Sequence, residues 1–391
     1  MLTAQRGDVR VAFITFEYPP HMIGGAGTYA EKVVAELARR GVHVDVFTPA
    51  RDDYRPVPRV RIVGVPVSRR KPFAPLQFWL GLPDIFARAE REGRYDLVHF
   101  NGTCYWFLNR LTDSPKVVTI HHLARDSVAH DGAVGIMLSL IERRAMRMAD
   151  RVVAVSEFTR GRILERCGIE PGRVGMVYNG GSYDKDASPD IESARALLSP
   201  LEGRRSVLFV GRLNDRRKGL DILVRAMARA AEHTDAVLVV AGKGDREEVK
   251  KLARSLGVEE RIVFVGYVED PVLLGLYSLT DVYACPSLLE GFGMTVLDAQ
   301  SFAPKVVASK VGAIPEIAGG STTLVDPMDV EALALAIVQA LEGQQPPRPE
   351  RDARTFTWEE AGSSLLREYR AARGGRRRTT ETPLCHDCHR S

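Results

Sequence analysis

Only five of the 391 residues are cysteine (Cys104, Cys167, Cys285, Cys385 and Cys388), and three of them stand alone in the sequence. An odd, scattered set excludes the disulfide framework of a small secreted domain and fits a reducing compartment. Long hydrophobic runs are also missing. The apolar run Val11–Phe16 follows the polar Met1–Asp8 and is shorter than the roughly 7–15 residues of a signal-peptide core. No other stretch approaches the roughly 18 apolar residues of a spanning helix. The expectation is a soluble, cytoplasmic protein, with a peripheral membrane contact left open, and on that reading the Asn101-Gly102-Thr103 sequon is accidental. Excess charge is lacking too: 54 basic against 50 acidic residues leave +4, too mild to imply a nucleic-acid partner. No short-period repeat is present.

What is there is ordinary globular composition, 45% hydrophobic and 27% charged with 34 Gly and 22 Pro, in a chain long enough for about two domains at roughly 150 residues each. Short β-branched runs alternate with amphipathic stretches, which predicts an α/β fold with parallel sheets wrapped by helices. In the first half the strands are expected at Val9–Phe16, Val42–Thr48, Val60–Val65, Leu97–Asn101, Val117–His121, Arg151–Ser156 and Val174–Tyr178. In the second they are expected at Ser206–Gly211, Ala236–Ala241, Ile262–Gly266, Val282–Pro286, Val306–Ser309 and Thr323–Val325, with helices at Leu220–Glu232, Glu247–Leu256 and Glu331–Leu341. Leu220, Leu223, Val224, Met227 and Ala231 recur at the spacing of one buried helical face. Gly180–Pro200, with Gly-Gly, Ser-Pro and no strand pattern, reads as a linker, and the boundary is set near residue 190. Past a proline-rich break, Phe356–Tyr369 reads as a final helix that must pack on something other than the second core.

Parallel sheets place ligands at the carboxyl ends of their strands. The first strand leads through Pro19-Pro20 into Gly24-Gly25-Ala26-Gly27, with Thr28 and Glu31 at capping-box spacing. Glycines before a helix suit an anion, although a bare turn accounts for them equally well. After Phe209-Val210-Gly211, the cations Arg212 and Lys218 stand at a strand's carboxyl end, where a diphosphate needs fixed positive charge. The alternative is a solvated basic loop. Pro286-Ser287-Leu288-Leu289-Glu290-Gly291-Phe292-Gly293-Met294-Thr295-Val296-Leu297-Asp298 carries one acid in a loop and a second on the following helix, eight positions on. Thr295 and Asp298 also fit a capping box, which would reduce Asp298 to a helix-start residue.

Together, Gly211-Arg212-Leu213, Lys218-Gly219, Ala241-Gly242-Lys243-Gly244-Asp245, Phe264-Val265-Gly266 and Pro286-Ser287 with Glu290-Gly291-Phe292-Gly293 resemble the signature of the retaining nucleotide-sugar glycosyltransferases of family 4. Pro19-Pro20, Gly24-Gly25, Thr119-Ile120-His121, Val155-Ser156-Glu157 and Tyr178-Asn179-Gly180 join them, so the resemblance spans roughly residues 9 to 370. It implies the GT-B fold of two Rossmann-like domains facing a cleft. The divisions would be an acceptor-binding domain over 1–189, a nucleotide-sugar-binding domain over 190–350, a helix over 351–373 returning to the first domain, and a flexible basic tail over 374–391. It further implies that Arg212 and Lys218 hold the donor diphosphate, that Glu290 contacts sugar hydroxyls, and that the backbone of Phe292, Gly293 and Met294 supports sugar and phosphate. Asp298 would take the ribose, Gly24 and Gly25 would close over the diphosphate, Gly242 would line the donor site, and His121 would orient the reacting groups, with His122 beside it left open. The donor is then a substrate, and neither cofactor nor metal is expected. Two departures stand out: Asp298 where the family has Glu, and Gln300–Lys305 in place of a small-residue run, which leaves the local backbone uncertain.

The acceptor, whether small molecule, glycan or lipid-linked, stays open. Ser68–Phe73 running to Phe78-Trp79-Leu80 mixes basic and aromatic residues, as a membrane-surface segment or as a charged loop entering a packed helix. Cys104-Tyr105-Trp106-Phe107 could line an acceptor pocket or fill core. Cys385-His386-Asp387-Cys388-His389 reads as a tail rather than a haem or zinc site. Two other functions stay in view, a non-hydrolysing nucleotide-sugar epimerase and an inactive nucleotide-sugar-binding protein.

Overall fold

The β-branched runs become parallel strands of two sheets in the computed structural model, which describes residues 9–21, 24–68, 74–102, 112–183, 187–320, 322–344 and 356–379. The chain forms two compact units. The first sheet holds β1 (Arg10–Ile14), β2 (His43–Pro49), β3 (Val60–Val65), β4 (Leu97–Asn101), β5 (Lys116–Ile120), β6 (Arg151–Ala154) and β7 (Val174–Met176) in the order β3-β2-β1-β4-β5-β6-β7. The strands all run parallel, and their order reverses between β1 and β4, the position where such sheets open a crevice at the strands' carboxyl ends. Helices α1 (Gly25–Arg39), α2 (Ala74–Glu92), α3 (Val128–Met148) and α4 (Glu157–Cys167) follow β1, β3, β5 and β6. In α4 the Ser156 side chain caps the helix by accepting the Thr159 N–H at 3.1 Å, and Gly168 ends it in the left-handed conformation.

The second unit opens with α5 (Ile191–Leu198), and its sheet holds β8 (Ser206–Val210), β9 (Val237–Ala241), β10 (Ile262–Gly266), β11 (Val282–Cys285), β12 (Val306–Ser309) and β13 (Thr322–Val325). The order is β10-β9-β8-β11-β12-β13, reversing between β8 and β11. Around it lie α6 (Leu220–Ala230), α7 (Glu247–Ser255), α8 (Asp270–Leu279), α9 (Met294–Phe302), the single turn α10 (Ile314–Ile317) and α11 (Val330–Leu341). The expected α6 face is the buried one: Leu220, Leu223, Val224 and Met227 join Val207, Phe209, Leu238 and Ile337 in one core. Each such side chain withdrawn from water contributes roughly 1.5–3 kcal/mol.

The change of unit falls at Tyr178–Asn179, ahead of residue 190, and much of the stretch read as linker is ordered. Asp190 caps α5 by accepting the Ser193 N–H at 3.0 Å, and its own N–H reaches the Pro271 carbonyl on α8 at 2.8 Å. Likewise, Gln300–Lys305 keeps regular backbone: α9 runs to Phe302, and the Lys305 carbonyl accepts from the Tyr283 N–H at 2.9 Å.

The last helix, α12 (Trp358–Thr379), belongs to the first unit. Its stripe Trp358, Ala361, Leu365, Tyr369 and Ala372 is buried, at the 3.6-residue period of one face. Arg40 of α1 donates to the Glu359 carbonyl at 2.8 Å and the Ser363 hydroxyl at 3.0 Å, and Arg151 pairs with Glu368. In α2, Phe78, Leu82 and Phe86 are buried whereas Leu76 and Leu80 are exposed. The preceding basic residues, Arg69 to Phe73, lie outside the described residues, as do Cys104–Phe107 and Cys385–His389. Among the described residues no helix is long and apolar enough to cross a membrane.

At the amino ends of β1 and β2, Asp45 is buried and accepts from Arg10 Nη2 at 2.6 Å, Arg61 Nη2 at 2.7 Å and the Tyr95 hydroxyl at 2.7 Å. Burial alone would raise its carboxyl, but the bonds from Arg61, Tyr95 and Arg10 bring it below the usual range. Removing the acid strands three donors. Asp45→Ala is therefore expected to cost about 3 kcal/mol in urea unfolding; a loss under about 1 kcal/mol would show the cluster to be surface decoration.

Candidate active site

In the second unit three loops meet at the carboxyl ends of β8, β9 and β11. The β8 and β9 loops are stitched together by Gly211 N–H to the Ala241 carbonyl at 3.0 Å and Leu213 N–H to the Lys243 carbonyl at 2.9 Å. Gly242, at φ +148°, lies so near that a Cβ would run into the Gly211 carbonyl oxygen, so glycine is required for this approach. The β11 loop is tied to the β8 loop by Leu288 N–H to the Arg217 carbonyl at 2.7 Å.

These ties bring Lys218 and Glu290 together, Nζ to Oε1 at 2.7 Å, with side chains 26% and 10% exposed. The buried Ser287 hydroxyl donates to the same oxygen at 2.8 Å. Burial would lower the Lys218 ammonium, but the Glu290 charge more than restores it and its pKa lies above the ordinary value. Beneath Glu290, Gly312 packs its backbone where any Cβ would strike the Glu290 carbonyl. The Ala313 N–H donates to that carbonyl at 3.2 Å. Cation and acid are thus held on two loops by backbone contacts.

Arg212 is exposed and salt-bridged to Asp215 at 2.7 Å. Asp215 is also gripped by Arg217, whose Nε and Nη2 both reach it at 2.8 Å. Burial would raise the Asp215 carboxyl, yet the Arg217 bonds and the charges of Arg217 and Arg212 bring it to about 2. Of the three arginines in this loop, Arg217 is therefore committed to structure. Neither Asp215 nor Ser287 is assigned a role from sequence. The i+3 spacing of Asp215 from Arg212, and Ser287's place three before Glu290, are signals in retrospect.

Gly293, at φ +94°, is the N-cap of α9 and has no side chain to offer the helix end, so the helix starts at Met294 with its positive dipole end on the loop side. Phe292 is buried edge-on to Phe356, ring centres 5.9 Å apart. With the cap at Gly293, the Thr295–Asp298 capping box does not form. Asp298 is instead almost fully buried, and its Oδ1 accepts the Ser182 N–H at 2.6 Å. Burial pushes its carboxyl up to about 7, with the N–H groups of Ser182 and Tyr183 holding it back.

In the first unit, α1 begins three residues before the expected cap at Thr28, with Gly24 as N-cap and Gly25 as first residue. The Gly24 N–H donates to Glu17 Oε2 at 2.9 Å, so a carboxylate already sits at this helix end, as the dipole favours. His121, at the end of β5, bonds through Nε2 to Asn101 Oδ1 at 2.6 Å. Asn101 Nδ2 donates to the Ala26 carbonyl and the Thr15 hydroxyl, both at 3.0 Å. A carbonyl only accepts, so the Asn101 oxygen faces the imidazole and His121 Nε2 carries the proton. Burial, with His122 adding to it, pushes His121 down to about 3. The ring is neutral, and Nδ1 keeps its lone pair. His122 is exposed. Asn101 is not singled out by the sequence, although its position at the carboxyl end of β4, beside the switch point, marks it.

An acid whose folded pKa exceeds its unfolded value stabilises below the unfolded pKa and loses that contribution as pH rises toward the folded one. For Asp298 the window is about 4 to 7. The neutral histidines His99 and His121, both pushed down to about 3, act in the opposite sense, so the comparison of variants is what counts. Asp298→Asn is expected to gain stability on the wild type steadily between pH 4 and 7 in chemical denaturation. A constant difference across that range would refute the buried, protonated carboxyl.

Comparison with known proteins completes the assignment. Residues 23–183 match the family model described as Glycosyltransferase Family 4, and residues 204–343 match Glycosyl transferases group 1. The D-inositol 3-phosphate glycosyltransferase of Mycobacterium tuberculosis is 32% identical over 387 aligned residues, covering 90% of this chain and 79% of the relative. Among solved structures, sucrose-phosphate synthase from Thermosynechococcus elongatus aligns with a TM-score of 0.76 at 24% identity, over 93% of this chain and 98% of the other. HepE of Anabaena aligns at 0.67 and 19% identity, over 95% and 100%. Two parallel sheets reversing at matched switch points, together with these relatives, make the fold GT-B and the chain a member of the family 4, group 1 glycosyltransferases.

Proposed function

We propose that the enzyme transfers a sugar from a nucleoside diphosphate donor to an acceptor hydroxyl or amine with retention at the anomeric carbon. The observation that carries this reading is the Lys218–Glu290 pair at the carboxyl ends of β8 and β11. A cation to meet a diphosphate and a carboxylate to accept from sugar hydroxyls are held 2.7 Å apart by rigid loops. Lys218 and Arg212 neutralise the charge that grows on the departing diphosphate, where fixed charge in a dry site is worth most. The backbone of Phe292, Gly293 and Met294 at the start of α9 supplies N–H groups to the same anion. Gly242 lets the donor approach the β9 loop, Gly24 and Gly25 offer a second helix end to the diphosphate, and Asp298 stands nearest the ribose position by family pattern.

In the transfer, the bond from the anomeric carbon to the diphosphate oxygen breaks and one to the acceptor oxygen or nitrogen forms on the same face. The acceptor's proton passes to the departing phosphate. His121, neutral and fixed by Asn101, orients the reacting groups through its Nδ1 lone pair. No resident cofactor takes part in this scheme. A uridine nucleotide is the first donor to test, since HepE of Anabaena is described in complex with UDP-glucose. An acceptor bearing a phosphate is suggested by the name of the mycobacterial relative.

Thermal unfolding with UDP, GDP or ADP at 100 times the dissociation constant is expected to show about 2.7 kcal/mol of stabilisation, a shift of several degrees. Arg212→Ala and Lys218→Ala should lose most of it. Glu290→Gln should keep the nucleotide shift and lose roughly a hundredfold in donor turnover. Equal shifts in wild type and both cation variants would overturn the diphosphate assignment.

A further inference from the structure

A chain of buried polar groups crosses the core of the first unit from α12 to His121. The Tyr369 hydroxyl meets His99 Nδ1 at 2.6 Å, and His99 Nε2 meets the Thr119 hydroxyl at 2.8 Å. Thr119 in turn meets the Tyr29 hydroxyl at 3.0 Å. The Tyr29 ring stands edge-on to His121, centres 5.0 Å apart. None of Tyr369, His99, Thr119 and Tyr29 is more than 4% exposed. Groups this deep must satisfy one another, because water is not there to replace a lost partner.

The chain has a defined logic. Burial, with His121 adding to it, pushes His99 down to about 3, so its ring is neutral, with one nitrogen donating and the other accepting. The ring therefore donates to one of Tyr369 and Thr119 and accepts from the other, so the sense of the Tyr369–His99 bond is coupled to what His99 offers Thr119, whose hydroxyl also meets that of Tyr29. Tyr29 is pinned from the other side by Trp358, the first residue of α12, at 6.1 Å. Both ends of the contact between α12 and the core therefore bear on the ring that backs His121.

We propose that Tyr369 is a positioning residue for His121, acting through His99, Thr119 and Tyr29, so that the returning helix α12 sets the orientation of the imidazole at the carboxyl end of β5. This role rests on the reading of His121 given above, since positioning matters to turnover only if His121 serves the reaction. Tyr369 touches no reacting atom. Its hydroxyl is needed for order, whereas its ring is needed for packing, and the two can be separated.

The test uses the full chain, isotope-labelled at histidine, with the His121 imidazole signals assigned by their disappearance in His121→Asn. Tyr369→Phe keeps the ring and removes the hydroxyl. Leu365→Ala, at a fully buried α12 position outside the polar chain, controls for loosened packing. In Tyr369→Phe the His121 nitrogen and carbon shifts are expected to move or broaden as the ring shifts against Tyr29, while the Asn101 bond keeps the proton on Nε2. In Leu365→Ala they should stay in place although the protein melts lower. Turnover of UDP-glucose, as transfer or hydrolysis, should fall roughly tenfold in kcat with KM unchanged in Tyr369→Phe. Unmoved His121 signals in Tyr369→Phe, or equal movement in Leu365→Ala, would overturn the positioning role. Moved signals in Tyr369→Phe with normal turnover in His121→Asn would leave the coupling standing and overturn the catalytic reading instead.

Discussion

The ion pair between Lys218 and Glu290 is the interaction on which the second unit's site depends. Drawing an ammonium and a carboxylate out of water costs several kcal/mol each, and only close contact with further hydrogen bonds offsets that. The structure meets the condition with the Ser287 hydroxyl on the shared oxygen and with backbone stitching that leaves the loops little freedom. Glycine at positions 242 and 312 belongs to the same packing, because the β9 loop meets the β8 loop at Gly211, and the chain after β12 meets the Glu290 carbonyl, more closely than a side chain permits. Asp215 does a related service on the loop that carries Lys218, gathering Arg217 into the fold and balancing Arg212. The positive charge gathered on the β8 loop is thus already paired, Lys218 with Glu290 and both Arg212 and Arg217 with Asp215.

The first unit solves a different problem with different chemistry. The polar groups around His121 are neutral: His99 and His121, kept uncharged by burial, the hydroxyls of Tyr29, Thr119 and Tyr369, and the Asn101 amide. A neutral network costs far less to bury than charges do. It gives up electrostatic strength and gains direction, since each ring nitrogen and amide atom has one permitted role. Asn101 is the clearest case: its two donations dictate the tautomer of His121.

The strands and the amphipathic helices were legible because their signals are local. β-branched runs, the i, i+3, i+4, i+7 face of α6 and the glycines before α9 are each contained within a dozen residues of sequence. Features that depend on distant partners were not. The cap at the start of α1 was misread, since Glu17 at the end of the preceding strand, rather than Thr28, serves that helix end. The local spacing of Asp298 suggests a capping residue, whereas its observed partner, Ser182, lies 116 positions earlier. Part of the expected linker became α5 because its packing against α8 is a tertiary fact. Tyr369 and His99 are 270 positions apart, and nothing in either local pattern links them. The candidate residues of the second unit come from short loops in which charge and glycine are concentrated, so the contacts among them, such as Arg212 with Asp215 and Ser287 with Glu290, are local in sequence.

The two units nonetheless follow one structural rule. In each sheet the strand order reverses beside the first strand, β1 or β8, and the strand across that reversal, β4 or β11, delivers polar groups at its carboxyl end. Asn101 ends β4, and Ser287 with Glu290 follows β11. In sheets of this kind the connections from the two strands at the switch point leave toward opposite faces, so groups there lack the cover that neighbours provide elsewhere. A residue placed there must find its own partners. In the first unit Asn101 binds Thr15, Ala26 and His121; in the second Glu290 binds Lys218 and Ser287. The topology fixes where such groups collect, and the choice of an amide in one sheet and a carboxylate in the other determines what each end can do chemically.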